Sequence, residues 1–102
     1  MYLNPDIIYF THSRIRGRFS GCGLTIEETY NQIVNKQIEI SSIPKIKVFT
    51  DGSNYYSENN RRLYLFKKCK QSGLLQEIDV VVKPIKTQTN NQYSLNAKIA
   101  YK

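Results

Sequence analysis

Arg61 and Arg62 stand side by side in the stretch Asp51-Gly52-Ser53-Asn54-Tyr55-Tyr56-Ser57-Glu58-Asn59-Asn60-Arg61-Arg62-Leu63, a turn and a short β-forming run that lead into a helical pattern. A helix amino terminus presents unpaired backbone amides and roughly half a unit of positive charge, so arginines there turn it into a cradle for phosphate. Arginine's planar fork suits phosphate better than the point charge of lysine. The plain alternative is a solvated basic helix behind an Asn cap. Against it, the helix dipole favours acids, not two arginines, in a first turn.

Other residues offer chemistry on a second segment. Arg14, Arg16 and Arg18 alternate, so in an extended chain they share one side and could face the same phosphates or a nucleic-acid backbone. In Phe19-Ser20-Gly21-Cys22-Gly23 the glycines permit a tight loop, and Gly21 and Gly23 are expected to aim backbone amides at an anion. Cys22 as a nucleophile is the rival reading of that loop, but it has no adjacent base. His12, the only histidine, is a candidate general base, its ordinary pKa of about 6.5 suiting proton transfer near neutrality. One histidine and two scattered cysteines do not make a zinc ligand set, so no metal site is expected from the protein itself. Of the eight tyrosines, Tyr55 and Tyr56 are the best placed to touch a base.

These residues must be positioned by a small scaffold. With 102 residues the chain makes one domain, 1–102, and its 40% hydrophobic content is enough for one core. The net charge of +7 and pI near 9.5 call for anionic partners: nucleotide, nucleic acid or acidic membrane. The charge is densest at 61–70, so the partner is expected there. Two cysteines without a leader-like amino terminus read as reduced thiols, and no apolar run is long enough to span a bilayer. The expected location is cytoplasmic or nuclear.

The elements follow from periodicity. Ile7-Ile8-Tyr9-Phe10 reads as a buried strand. Thr25-Ile26-Glu27-Glu28 has the form of a capping box and opens a helix to about Lys36, with Ile26, Tyr30, Ile33 and Val34 on one face. Residues 45–50 alternate as a strand, with Ile46, Val48 and Thr50 on one side and Phe49 on the other. A turn at 51–54 leads to a strand at 55–57, then to a helix over 59–71 with Leu63, Phe66 and Cys69 inward and Gly73 as its stop. Residues 78–82 form a buried strand. The alternation of Tyr93, Leu95, Ala97, Ile99 and Tyr101 predicts a last strand or hairpin arm in 84–102, pairing back on 78–85. The fold class is α+β, a small mixed sheet with two or more helices.

The segment Tyr55 to Cys69, "YYSENNRRLYLFKKC", resembles the phosphate-binding segment of the ParB and sulfiredoxin superfamily, and the order of elements over about 7–83 is similar too. In that resemblance Asn59 stands where ParB-type motifs have glycine, Asn60 where they have glutamate or asparagine, and Arg61 and Arg62 at the two basic positions. It implies a ParB/sulfiredoxin-like domain that binds a nucleotide or phosphoester through Asn59, Asn60, Arg61, Arg62, Arg14, Arg16, Gly21 and Gly23. It also implies a triphosphate accompanied by Mg2+, and leaves slow NTP or phosphodiester hydrolysis open. Asn60 in place of an acid counts against hydrolysis, leaving Glu58 and His12 as the catalytic candidates. In sulfiredoxin the position of Asn60 is the catalytic cysteine, so sulfinic reductase activity is not expected. The alternative is a non-catalytic nucleic-acid-binding module using the same basic cluster.

Overall fold

In a computed structural model the chain is described at residues 1–11, 14–16, 24–50, 52–84 and 98–100; for 14–16, 84 and 98–100 the backbone alone is described. The elements are β1 (Tyr2–Leu3), a 3-10 turn (Pro5–Ile7), β2 (Ile8–Tyr9), β3 (Arg14–Arg16), α1 (Ile26–Val34), a 3-10 turn (Ile40–Ser42), β4 (Ile46–Thr50), β5 (Tyr55–Ser57), α2 (Asn60–Gln71), β6 (Ile78–Pro84) and β7 (Lys98–Ala100). Five strands form one mixed sheet in the order β1-β6-β4-β5-β2, with β4 parallel to β6 and antiparallel to β5.

The chain passes from one edge of this sheet, β1, to the other, β2, through Asn4–Ile7 alone. Flat, those edges would lie about 19 Å apart, four strand spacings of about 4.8 Å. A link that includes a 3-10 turn, rising only about 2 Å per residue, falls short of that. The sheet is therefore curled, and its concave side holds Leu3, Ile8, Phe10, Ile46, Val48, Ile78 and Val80.

α2 fills the concavity from one side with Leu63 and Phe66 and offers Leu65 and Cys69 to Ile26 and Ile33 of α1 on the other. It is thus the middle layer, and α1 packs on it rather than on the sheet. The capping box at α1 forms as expected: the Glu28 amide donates to Thr25 Oγ1 at 3.0 Å and the Thr25 amide to Glu28 Oε1 at 3.2 Å. The buried face of α1 is Ile26, Thr29 and Ile33; Val34, expected inward, is 47% exposed, because α1 meets one neighbour and its last turn overhangs.

Both helices end in the same reversal, with the amide two beyond the cap returning to the carbonyl three before it. In α2 Leu74 donates to the Cys69 carbonyl with Gly73 at φ 79°; in α1 Gln37 donates to the Gln32 carbonyl with Lys36 at φ 61°. Among the described residues no helix is long and apolar enough to cross a membrane.

Two expectations are corrected. Ile7 belongs to a turn and β2 begins at Ile8, while an unforeseen strand, β1, pairs antiparallel with β6. The last strand does not pair back on 78–85: β7 runs parallel to β3, with Arg14, Ile15 and Arg16 in register with Lys98, Ile99 and Ala100. One edge of β6 is taken along its length by β4 at Ile46–Thr50, and the start of the other, Ile78–Val80, by β1 and the Met1 carbonyl.

Candidate functional site

β5 ends at Ser57, and the chain turns at once into α2 through contacts that fix the helix start. The Glu58 amide donates to the Lys47 carbonyl at 2.8 Å, and the Lys47 amide to Asn59 Oδ1 at 2.9 Å. Asn59 occupies the N-cap position but makes no side-chain bond to the helix amides. Asn60 grips the residue that leads into the arginine strand. Its Oδ1 accepts from the Thr11 amide at 3.0 Å, its Nδ2 donates to Thr11 Oγ1 at 2.9 Å, and Thr11 Oγ1 in turn donates to the Ser57 carbonyl at 3.0 Å.

Of Asn59 and Asn60, expected as phosphate ligands, Asn59 Oδ1 and both polar atoms of the Asn60 side chain have partners within the protein. Asn59 holds the helix start on β4, and Asn60 ties it to Thr11, three residues before Arg14. The backbone of β3 accordingly passes within 8 Å of α2.

Arg61 and Arg62 are the second and third residues of α2, in its opening turn as expected. Arg62 Nη1 donates to the Lys45 carbonyl at 2.9 Å, which leans this guanidinium toward the first residues of β4. Nearby, Lys45 Nζ lies 2.7 Å from Asp79, whose other oxygen is 3.0 Å from the Met1 amine. The hydrogen bond between them raises the Lys45 pKa and lowers that of Asp79. Glu58 is exposed, its carboxylate 3.9 Å from Lys83 Nζ.

Arg14 and Arg16 take alternate positions of β3, as extension requires, and their backbone is brought beside α2. The register adds Lys98 opposite Arg14, which sequence reasoning did not connect with this region. His12, Arg18, Gly21, Cys22 and Gly23 lie outside the described residues.

The lysines at the far end of α2 are a different matter. Lys68 Nζ is 2.6 Å from Glu27 and 4.9 Å from the Tyr30 ring, Lys70 Nζ is 3.6 Å from Asp6, and Lys67 is buried with its ammonium 5.0 Å over the Phe10 ring. Burial pushes the Lys67 pKa down to about 8, while the bond to Glu27 raises that of Lys68. The dense charge at 61–70 is thus not one surface: 67–70 packs against α1 and the turn at Pro5–Ile7, and the arginines stand at the other end. Cys69 is fully buried, and burial pushes its thiol up to about 11, which removes it as a nucleophile.

Among the described residues no group of three or more His, Cys, Asp or Glu could hold a metal ion; at the helix start Asn60 Oδ1 is bonded to the Thr11 amide and the Glu58 carboxylate lies 3.9 Å from Lys83 Nζ. Compared with known proteins, the chain matches no family model, no curated protein and no solved structure.

Proposed function

We propose that this domain binds a phosphate ester, a nucleotide or a phosphodiester, between the opening turn of α2 and the arginine strand β3. One observation carries this reading. Two arginines sit in a first turn where the helix dipole favours acids, and Asn60 holds that turn against Thr11, at the entry to Arg14 and Arg16.

The order of elements from β2 to β6 supports the ParB/sulfiredoxin-like resemblance, and so does the place of Arg61 and Arg62. The chemistry proposed is binding. Arg61 and Arg62 supply charge-assisted hydrogen bonds worth on the order of 1.5 to 3 kcal/mol each, and helix amides add to them. Hydrolysis, if present, is slow, because Asn60 replaces an acid and Glu58 is held opposite Lys83.

Thermal-shift titration with pyrophosphate, CTP and ATP, each with and without magnesium, tests the reading. A ligand at about 100 times its Kd should stabilise by about 2.7 kcal/mol. Arg62→Ala should weaken binding about tenfold, the equivalent of about 1.4 kcal/mol. Because Lys98 lies in register with Arg14, Lys98→Ala should weaken it as well, and Lys36→Ala, at the end of α1, serves as the remote control. No stabilisation by any of the three ligands would reject the site.

A further inference from the structure

β3 does not belong to the five-stranded sheet. It pairs with β7 in a separate two-stranded sheet, so no strand pairing among the described residues fixes it against the start of α2. What does reach from that start to the chain leading into β3 is a closed set of bonds centred on Thr11, a residue that no pattern in the sequence singles out. The Thr11 hydroxyl has one hydrogen, which it gives to the Ser57 carbonyl at 3.0 Å, so its oxygen is left to accept, and Asn60 Nδ2 donates to it at 2.9 Å. Asn60 Oδ1 accepts from the Thr11 amide at 3.0 Å. Ser57 is fully buried at the end of β5, and its own Oγ accepts from the Asn59 amide at 2.9 Å.

Three segments meet in this clasp: the end of β5, the first residue of α2 and the exit from β2. Its donors and acceptors match only with an amide at position 60. A carboxylate there would accept from the Thr11 amide but has no hydrogen to give the Thr11 oxygen. The clasp thus favours asparagine over an acid at the position, independently of any reaction.

Arg14 lies three residues beyond Thr11, and three residues of fully extended chain span at most about 11 Å. Fixing Thr11 therefore keeps the Arg14 backbone within that distance of it, whatever path the chain takes between. Without the clasp the last residue held is Phe10, packed in the core, and the direction in which the chain leaves β2 is no longer set by the start of α2. Arginines on two segments bind one anion well only when both segments are already in place, since ordering them on binding costs affinity.

We infer that Thr11 is a positioning residue of the phosphate site: held by Asn60 and Ser57, it directs the chain leaving β2 so that the β3 arginines meet the opening turn of α2. This rests on the phosphate-binding reading and assigns how that site is held. Calorimetric titration with pyrophosphate tests it. Thr11→Val, which removes the hydroxyl, is expected to weaken binding about fivefold or more, the lower end of ordinary coupling between sites, and Thr11→Ser, which keeps the hydroxyl, to bind as the native protein does. In a background of Arg14→Ala and Arg16→Ala the Thr11→Val step should cost nothing further, because Thr11 acts through those arginines. The native protein supplies a reading that a misfolded variant cannot spoil. A ligand that needs the clasp closed also holds it closed, so pyrophosphate should slow hydrogen exchange of the Thr11 amide more than that of the Leu74 amide, which is bonded to the Cys69 carbonyl at the far end of α2.

A Thr11→Ser variant as weak as Thr11→Val, an equal Thr11→Val loss with and without the two arginines, or protection of the Thr11 amide no greater than that of Leu74 overturns the inference and leaves the phosphate site standing. A native protein that pyrophosphate neither stabilises nor protects at any amide sinks the phosphate reading itself.

Discussion

The two helices start in opposite ways. α1 opens on Thr25 with a complete capping box and with Glu27 and Glu28 in its first turn, so local hydrogen bonds and the dipole both favour it. α2 opens on Asn59 without a side-chain cap and with Arg61 and Arg62 where the dipole disfavours them. Its amides Asn59 and Asn60 reach outward to Lys47 and Thr11. α1 is begun by its own residues, α2 by what it is fastened to. The contrast separates two ways of starting a helix, one by local rules and one by tertiary fastening, and it is the second that leaves arginines in a first turn.

The sharpest way to break the contrast is to cut each fastening. Asn60→Ala removes two hydrogen bonds and leaves the Thr11 amide without its partner, so it should destabilise the protein by about 2 to 3 kcal/mol. Thr25→Ala loses one cap and should destabilise by about 1 kcal/mol. Urea denaturation of both variants decides it. An Asn60→Ala loss no greater than that of Thr25→Ala would mean that α2 is also locally begun.

Lys67 provides a pH test that α1 has no counterpart for. Its pKa is about 8 in the folded protein against an ordinary 10.5, so between these values the folded state binds fewer protons than the unfolded one. The burial penalty is present below about pH 8 and is relieved as the pH rises, so this group makes stability increase from about pH 8 to 10.5. Cys69, raised to about 11 from 9.0, acts in the opposite sense from about pH 9 to 11. The quantity to measure is therefore the difference between native protein and Lys67→Met, in which the thiol cancels. The variant should be the more stable by on the order of 1 to 2 kcal/mol at pH 7, allowing for the lysine's reach toward solvent, and the gap should shrink toward pH 10. A pH-independent gap would show that burial of the ammonium is not what separates the two proteins.

Arg61→Glu makes the first turn of α2 resemble that of α1. The dipole then favours the side chain by about 0.3 to 1 kcal/mol, and the variant should lose its stabilisation by pyrophosphate. Stability and binding measured on one sample separate the two effects. A variant that still responds to pyrophosphate would remove Arg61 from the site.

The smallest effect is expected at the helix ends. Gly73 adopts its positive φ freely, whereas Lys36 holds the same reversal at φ 61°. Lys36→Gly should stabilise by about 0.5 kcal/mol, the relief of left-handed backbone being partly offset by glycine's larger unfolded entropy. A destabilised variant would mean that the lysine's charge at the helix end outweighs its strain.

What could be read from the residues was whatever acts over one or two turns of chain. The capping box at Thr25 and Glu28, the alternation of Ile46–Thr50, the Gly73 stop and the place of Arg61 and Arg62 in a first turn all depend on neighbours along the sequence. Val34 was misplaced because helical period says which residues share a face, not how far the neighbouring helix reaches. The pairing of β7 with β3 was missed because alternation marks a strand without naming its partner.

The sequence by itself determined the composition of each element and the charge available on it, because φ/ψ preferences, caps and periods are local. Only the tertiary structure decided which charges are answered inside the molecule. Glu27 meets Lys68 across 41 residues, and Thr11 meets Asn60 across 49. The curl of the sheet brings Thr11 to the start of α2, leaves Lys67, Lys68 and Lys70 packed against acids and rings, and lines up Tyr9, Tyr56 and Phe49 on the convex face. Contacts at such separations depend on the path of the whole backbone, and no window of sequence contains both partners.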